Sequence, residues 1–215
     1  MKKTLAIISA IALLCVMAVG TTLSYFTDED GDVNTMTVGK VGITQKINGQ
    51  ENGAVSAQMF PVTKNDDGTL NNVVNIAVTV TMDTSSQNAY VRTVFAFEMK
   101  KVGDEWVNPI GTDVILVQDG VTIENDVTFV KNGVQYVVGV YSYGELEAGD
   151  TTTPSLKQVY LDSEVGNEFS DAVDGKYDIL VLSQAVQKQG FADAETALNT
   201  AFGEVNGTNA ADWFN

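Results

Sequence analysis

The sequence predicts an all-β fold: a jelly-roll-like antiparallel β-sandwich with one short C-terminal helix. Three observations predict it. Apolar residues alternate with polar ones along much of the chain, Asp-Gly and Asn-Gly pairs separate the alternating runs, and helical spacing is confined to one late segment. Strand-like runs joined by turns, without helices between them, are the pattern of a sandwich and not of a parallel sheet.

The N-terminus stands apart. Lys2 and Lys3 precede an apolar run from Leu5 to Val19 that only Ser9 interrupts. About 15 residues suit the apolar region of a secretory signal, whereas a membrane span needs about 20. Thr22 and Ser24 place small side chains at the −3 and −1 positions of a cut before Tyr25. Residues 1–24 therefore read as a signal peptide with the cleavage junction at Ser24 and Tyr25, against the alternative of an uncleaved anchor. Cys15 follows Leu13-Leu14 inside the apolar run and reads as a plain apolar residue, not a lipid site. Residues 25–37 read as an extended mature N-terminus, 38–203 as the sandwich domain and 204–215 as a tail.

Within the domain, Val74, Ile76, Val78, Val80 and Met82 alternate and predict a strand with one buried face. Val91, Phe95, Phe97 and Met99 share a side of the next run, and Ser85 to Asn88 connects the two. Asp119-Gly120 separates Val114–Val117 from Val121–Ile123, and Lys131-Asn132-Gly133 separates Val127–Val130 from Val134–Tyr141. Such pairs are strong hairpin signals, because a type I′ turn needs positive φ at both central residues. Asp174-Gly175 leads into Tyr177 to Val186, where Ile179 to Leu182 are apolar on both faces; this is the expected central strand. Phe191, Ala194, Ala197, Leu198, Ala201 and Phe202 have helical spacing, which predicts a helix near 192–202 with Glu195 in its first turn and Gly203 as its stop. Gly49 to Ala57 and Asn65 to Gly68 read as surface loops. The tail reads as partly loose, with Trp213-Phe214 available to dock.

Composition narrows the function. The whole chain carries 12 basic and 28 acidic residues, and loss of residues 1–24 removes two lysines and no acid, leaving a net charge of −18. Such a surface repels nucleic acid and anionic lipid. There is no histidine, and the single cysteine lies in the segment to be removed. Disulfides, His-based zinc sites, Ser-His-Asp triads and Cys-His dyads are thereby excluded from the processed chain. No phosphate-binding glycine loop occurs. An enzyme is not expected, and no cofactor is implied.

The junction Tyr25-Phe26-Thr27-Asp28, followed by Asn34-Thr35-Met36-Thr37-Val38-Gly39-Lys40-Val41-Gly42-Ile43, resembles the start of the TasA/camelysin-like family, proteins exported through a SipW-type signal peptidase. Ala89-Tyr90-Val91-Arg92, the turn Leu146 to Pro154 and the strand-to-helix ending Ser183 to Phe191 are similar to later segments of that family. The resemblance implies cleavage before the aromatic pair, an extracellular-matrix or cell-surface location, and biofilm fibres in which one subunit's N-terminal strand completes its neighbour's sheet. It implies a signal peptidase as partner during export, then self-association or a related matrix protein, with no stable membrane insertion after cleavage. The missing histidines depart from any zinc-protease activity suggested for the camelysin branch.

The candidate assembly segment is Tyr25, Phe26, Val33, Met36 and Val38: a polar extended terminus running into a β-prone stretch, able to add to a sheet edge. In the simpler reading, Val38 to Ile43 is the domain's own first strand. Asp28, Asp30 and Asp32 alternate like calcium-loop ligands, but Val33 stands where the loop glycine belongs and Gly39 where the bidentate acid belongs. They are weak metal candidates, and a solvated acidic run fits better. Arg92, the chain's one arginine, reads as a rim residue paired with an acid. Trp106, Tyr141 and Tyr143 read as core or edge aromatics before a glycan platform. The expected function is an exported fibre subunit or matrix accessory. The alternative is a monomeric secreted module that binds a cation, a glycan or a protein.

Overall fold

The computed structural model describes residues 41–51, 53–117 and 120–215, and the strand backbone of 27–30. In chain order the strands are β1 (Thr27–Asp30), β2 (Ile43–Ile47), β3 (Ala54–Ala57), β4 (Thr63–Lys64), β5 (Leu70–Asn71), β6 (Val74–Asn75), β7 (Val78–Met82), β8 (Ala89–Glu98), β9 (Lys100–Val102), β10 (Glu105–Val107), β11 (Val114–Val117), β12 (Thr122–Lys131), β13 (Val134–Leu146), β14 (Gln158–Leu161) and β15 (Tyr177–Gln187). Among the described residues three short helices accompany them: α1 (Glu168–Ala172), α2 (Ala194–Phe202) and α3 (Gly207–Trp213). Every strand pairing is antiparallel. The protein is all-β.

The larger sheet runs β1-β15-β8-β13-β12, with β3 beside β1 on the same edge of β15. The facing layer joins β2 to β7 and β6 to β14 to β11. Its two parts are continuous through the segment before β14, where Thr152 N–H donates to the Val80 carbonyl at 2.9 Å and Ser155 N–H to the Val78 carbonyl at 2.9 Å. The expected strand from Val74 to Met82 is thus two pieces, β6 and β7. Its buried face is as expected, with Ile76, Val78, Val80 and Met82 inside. These side chains meet Phe95, Phe97, Val137, Ile179 and Val181 of the larger sheet, or its Val91 and Ala185 farther along.

The larger sheet is covered on its other face as well. Val94, Ala96, Val138 and Leu182 pack against Ala210 and Phe214, and Tyr90 and Val186 against Ala197 and Leu198. All ten residues of β8 are buried. The central strand is therefore β8; β15, although covered on both faces over much of its length, is one strand from the edge.

The turn chemistry had mixed consequences. Asn132 and Gly133 have φ of 52° and 85° and close the β12–β13 hairpin. The strands on either side of Asp119-Gly120 do not pair with each other: β11 pairs with β14 and β12 with β13, so they lie in different layers. They satisfy their backbone groups with more distant partners. The segment from Gly49 to Ala57 is not all loop, since β3 pairs with Tyr177–Leu180 of β15.

The helix near 192–202 is α2. Asp193 caps it by accepting from Thr196 N–H at 2.8 Å, and Gly203 ends it at φ 90°. Helix α1 was not expected; at five residues it is too short for periodicity to register. The tail is likewise not loose. Asn206 caps α3, the Phe214 ring lies parallel to Phe129 at 5.6 Å, and the Lys131 ammonium donates to the Phe214 carbonyl. Phe214→Ala should lower unfolding stability by about 2–4 kcal/mol, read by denaturant titration, because it empties a buried ring site at a sheet face. A loose tail would show no change.

Candidate functional site

The chemistry expected of this chain centres on its N-terminal segment, and the structure places part of that segment. Strand β1 lies antiparallel on the outer edge of β15, with Thr27 opposite Val186, Asp28 opposite Ala185, Glu29 opposite Gln184 and Asp30 opposite Ser183. The edge is shared. Strand β3 takes the half from Tyr177 to Leu180, and at the join Val181 N–H donates to the Gly53 carbonyl at 2.6 Å while Gln45 Nε2 donates to the Val181 carbonyl at 3.2 Å. Asp28 and Asp30 sit on a paired strand, not on a calcium-type loop. Ser24, Tyr25, Phe26, Asp32, Val33, Met36 and Val38 lie outside the described residues.

Polar groups flank the β1 position on both faces of the sheet. On the face toward β2, the Ser183 hydroxyl donates to Gln45 Oε1 at 2.6 Å and lies 2.9 Å from the Thr93 hydroxyl. All three residues are buried. On the helical face, Arg92 is only 4% exposed, so it is not the rim residue expected of it. Its Nε donates to Gln184 Oε1 at 2.7 Å, one terminal nitrogen to Asn199 Oδ1 at 2.9 Å, and the other to the Gly203 carbonyl at 3.3 Å. The guanidinium also lies over the Trp213 ring, 5.2 Å from its centroid. One side chain thus ties β8, β15, α2 and α3 together.

Strand alternation correctly put Arg92 on the face opposite Val91 and Thr93. What it missed was the covering of that face by α2 and the tail. Ser183, Gln184 and Gln45 were also not singled out as site residues. Their signal is the polar pair Ser183-Gln184 directly after the apolar run Ile179 to Leu182, where an all-apolar continuation would be expected of a buried strand.

A second polar cluster lies farther along the helical face. Tyr136 of β13 pairs with Glu98 of β8, and the backbone N–H of Asp178 on β15 reaches the Glu98 carboxylate. Glu98 is 6% exposed, and its carboxylate accepts from Asp178 N–H at 2.8 Å. Burial pushes its pKa up to about 7; that hydrogen bond opposes the shift, and the charges of Asp178 and Asp174 add to it. The same burial, with Asp178 and Glu98 nearby, pushes the Tyr136 hydroxyl up to about 12.

The expected aromatics serve packing. Trp106 and Tyr141 lie partly buried against the main core and Tyr143 against the β2–β7 end, with the two tyrosine rings tilted 4.9 Å apart. Among the described residues no group of three or more acids is placed to hold a metal ion. No helix among them is long and apolar enough to cross a membrane. No family model, no curated protein and no solved structure matches the chain.

Two outcomes are expected. Arg92→Lys removes the planar fork and leaves the Asn199 and Gly203 acceptors poorly served, which should cost about 2–3 kcal/mol by denaturant titration. Glu98 has a folded pKa above its ordinary 4.5, so the folded chain holds the extra proton between about 4.5 and 7. Stability should therefore fall as pH rises through that window and stay low above it. Glu98→Gln should flatten this dependence and stabilise the fold at pH 8 by about 1–2 kcal/mol. An unchanged pH profile in the variant would exclude Glu98 as its source.

Proposed function

We propose that this protein is an exported structural component of a cell surface or extracellular matrix, a fibre subunit or accessory of a biofilm matrix, and not an enzyme. Its subunits join by strand addition at the outer edge of β15. The observation that carries this reading is the pairing of Thr27–Asp30 with Ser183–Val186. A terminal strand on a sheet edge makes the same backbone hydrogen bonds whether it comes from its own chain or from the next copy. Export frees that terminus in this reading: residues 1–24 are a signal peptide, and the cut between Ser24 and Tyr25 leaves the acidic strand near the new N-terminus.

The N-terminal motif shared with TasA/camelysin-like proteins supports the same reading, and with it a jelly-roll-like topology for the two layers. The chain's lack of histidine supports a non-enzymatic role. The high acidic charge fits a subunit that stays soluble until its charge is reduced or its partner is present.

A monomeric binding module is the second reading. It is favoured by a cleft of about 870 Å³ between the β9–β10 hairpin and α1, lined by both lysines and acids, including Lys101, Asp162 and Glu168. Electron microscopy of the processed protein separates the two. Fibres should form at acid pH, where the carboxylates are neutralised, and should be lost when residues 25–34 are deleted. Persistently single particles under those conditions would overturn the fibre reading. Fibres that still form normally after the deletion would overturn strand addition.

A further inference from the structure

The two strands on the outer edge of β15 differ in character. Strand β3 is Ala-Val-Ser-Ala, whereas β1 is Thr-Asp-Glu-Asp. Three acids in four residues is poor strand chemistry, and in a chain of net charge −16 each further carboxylate at the sheet is repelled. The receiving side therefore needs a complementary group.

The chain's one arginine lies in the row where such a group belongs. Across the sheet Ser142 faces Arg92, Arg92 faces Gln184 and Gln184 faces Glu29. Directly opposed residues share a face of the sheet, so position 29 is on the face of Arg92, while positions 28 and 30 belong to the other face. Gln184 stands between them, fully buried. Its Oε1 is held by Arg92 Nε at 2.7 Å, which turns the amide nitrogen, a donor, away from Arg92. A cation on the amide oxygen also polarises the amide and strengthens its N–H groups as donors.

We propose that Arg92 and Gln184 form a receptor for a single carboxylate, so that the edge of β15 selects extended segments with an acid opposite Gln184. In this chain that acid is Glu29. The inference goes beyond strand addition as such: it names the chemistry of the partner strand, whether the strand comes from the same copy or another. A strand slipped by one residue offers Asp28 or Asp30 in the same row with a side chain one methylene shorter, so the observed register is the favoured one.

Hydrogen exchange at the Ser183–Val186 amides reads strand docking in the protein itself. Glu29→Gln should speed exchange there by about tenfold or more, while Asp28→Asn and Asp30→Asn, which change the net charge equally, should have smaller effects. Gln184→Glu is nearly isosteric and keeps an acceptor for Arg92, so the fold is retained, but it replaces the donor with a charge that repels the strand. It should release the edge as Glu29→Gln does, and Glu29→Lys should restore protection in that background. Equal effects at positions 28, 29 and 30, no rescue by the lysine, or unprotected edge amides in the unaltered protein would each overturn the proposal. Its failure is distinct from failure of the fibre reading. Edge release by these variants in a protein that never polymerises keeps the receptor and removes the fibre; polymers indifferent to both variants do the reverse.

Discussion

Burying the one arginine of an acidic chain is the constraint on which the outer half of this molecule depends. A guanidinium carries five donors in a fixed plane and does not lose its charge, so it must be fully served wherever it is buried. Here the service comes from Gln184 on the neighbouring strand, from Asn199 inside α2, and from the Gly203 carbonyl where α2 ends, with the Trp213 ring beneath. All of these except Gln184 are in place only if α2 and α3 sit on the sheet. The helices in turn remove water from β8, whose second face would otherwise be an exposed apolar surface. Electrostatics and packing thus require one another at a single residue.

The same arrangement relates the C-terminal cap to the sheet edge. Gln184 serves Arg92 on one side and lies in the strand that β1 pairs with on the other. On the opposite face Ser183, Thr93 and Gln45 form a buried hydrogen-bonded chain at the same level of β15. This stretch of β15 therefore combines apolar neighbours with organised polar contacts, whereas the half that receives β3 is apolar at Ile179 and Leu180 and polar at Asp178. Two of the four positions opposite β1, Ser183 and Gln184, are polar, and the other two, Ala185 and Val186, are apolar.

Much of the fold was legible because strands with one buried face announce themselves by alternation. Ile76, Val78, Val80 and Met82 did so, and Asn132-Gly133 marked its hairpin without ambiguity. Gly203 marked the end of α2 by its capping chemistry, whereas the N-cap Asp193 was not singled out. What stayed hidden depends on distant partners. Asp119-Gly120 carries the same local signal as Asn132-Gly133, yet β11 and β12 enter different layers, because register is decided by the strand across the ladder and not by the turn alone. The tail read as partly loose because α3 has only seven residues and the large apolar side chains Trp213 and Phe214 come only at its end and just past it. Arg92 was misplaced for the same reason: alternation specifies its face, but nothing local says that a helix will cover that face.

The far side of the larger sheet has a different character. Among the described residues β12 pairs only with β13, and its register breaks between Glu124 and Thr128. There α3 comes so close that a Cβ on Gly207 would sit 2.4 Å from the Thr128 carbonyl oxygen. Bulges and a crowding helix spoil the flat ladder that a second sheet would need. The two edges of the larger sheet are therefore unlike: an irregular β12 on one side, and β15 paired along its length by two short strands on the other. Under the fibre proposal, a polymer joined through β15 would then have two unlike ends, one offering a terminal strand and the other the edge that receives it.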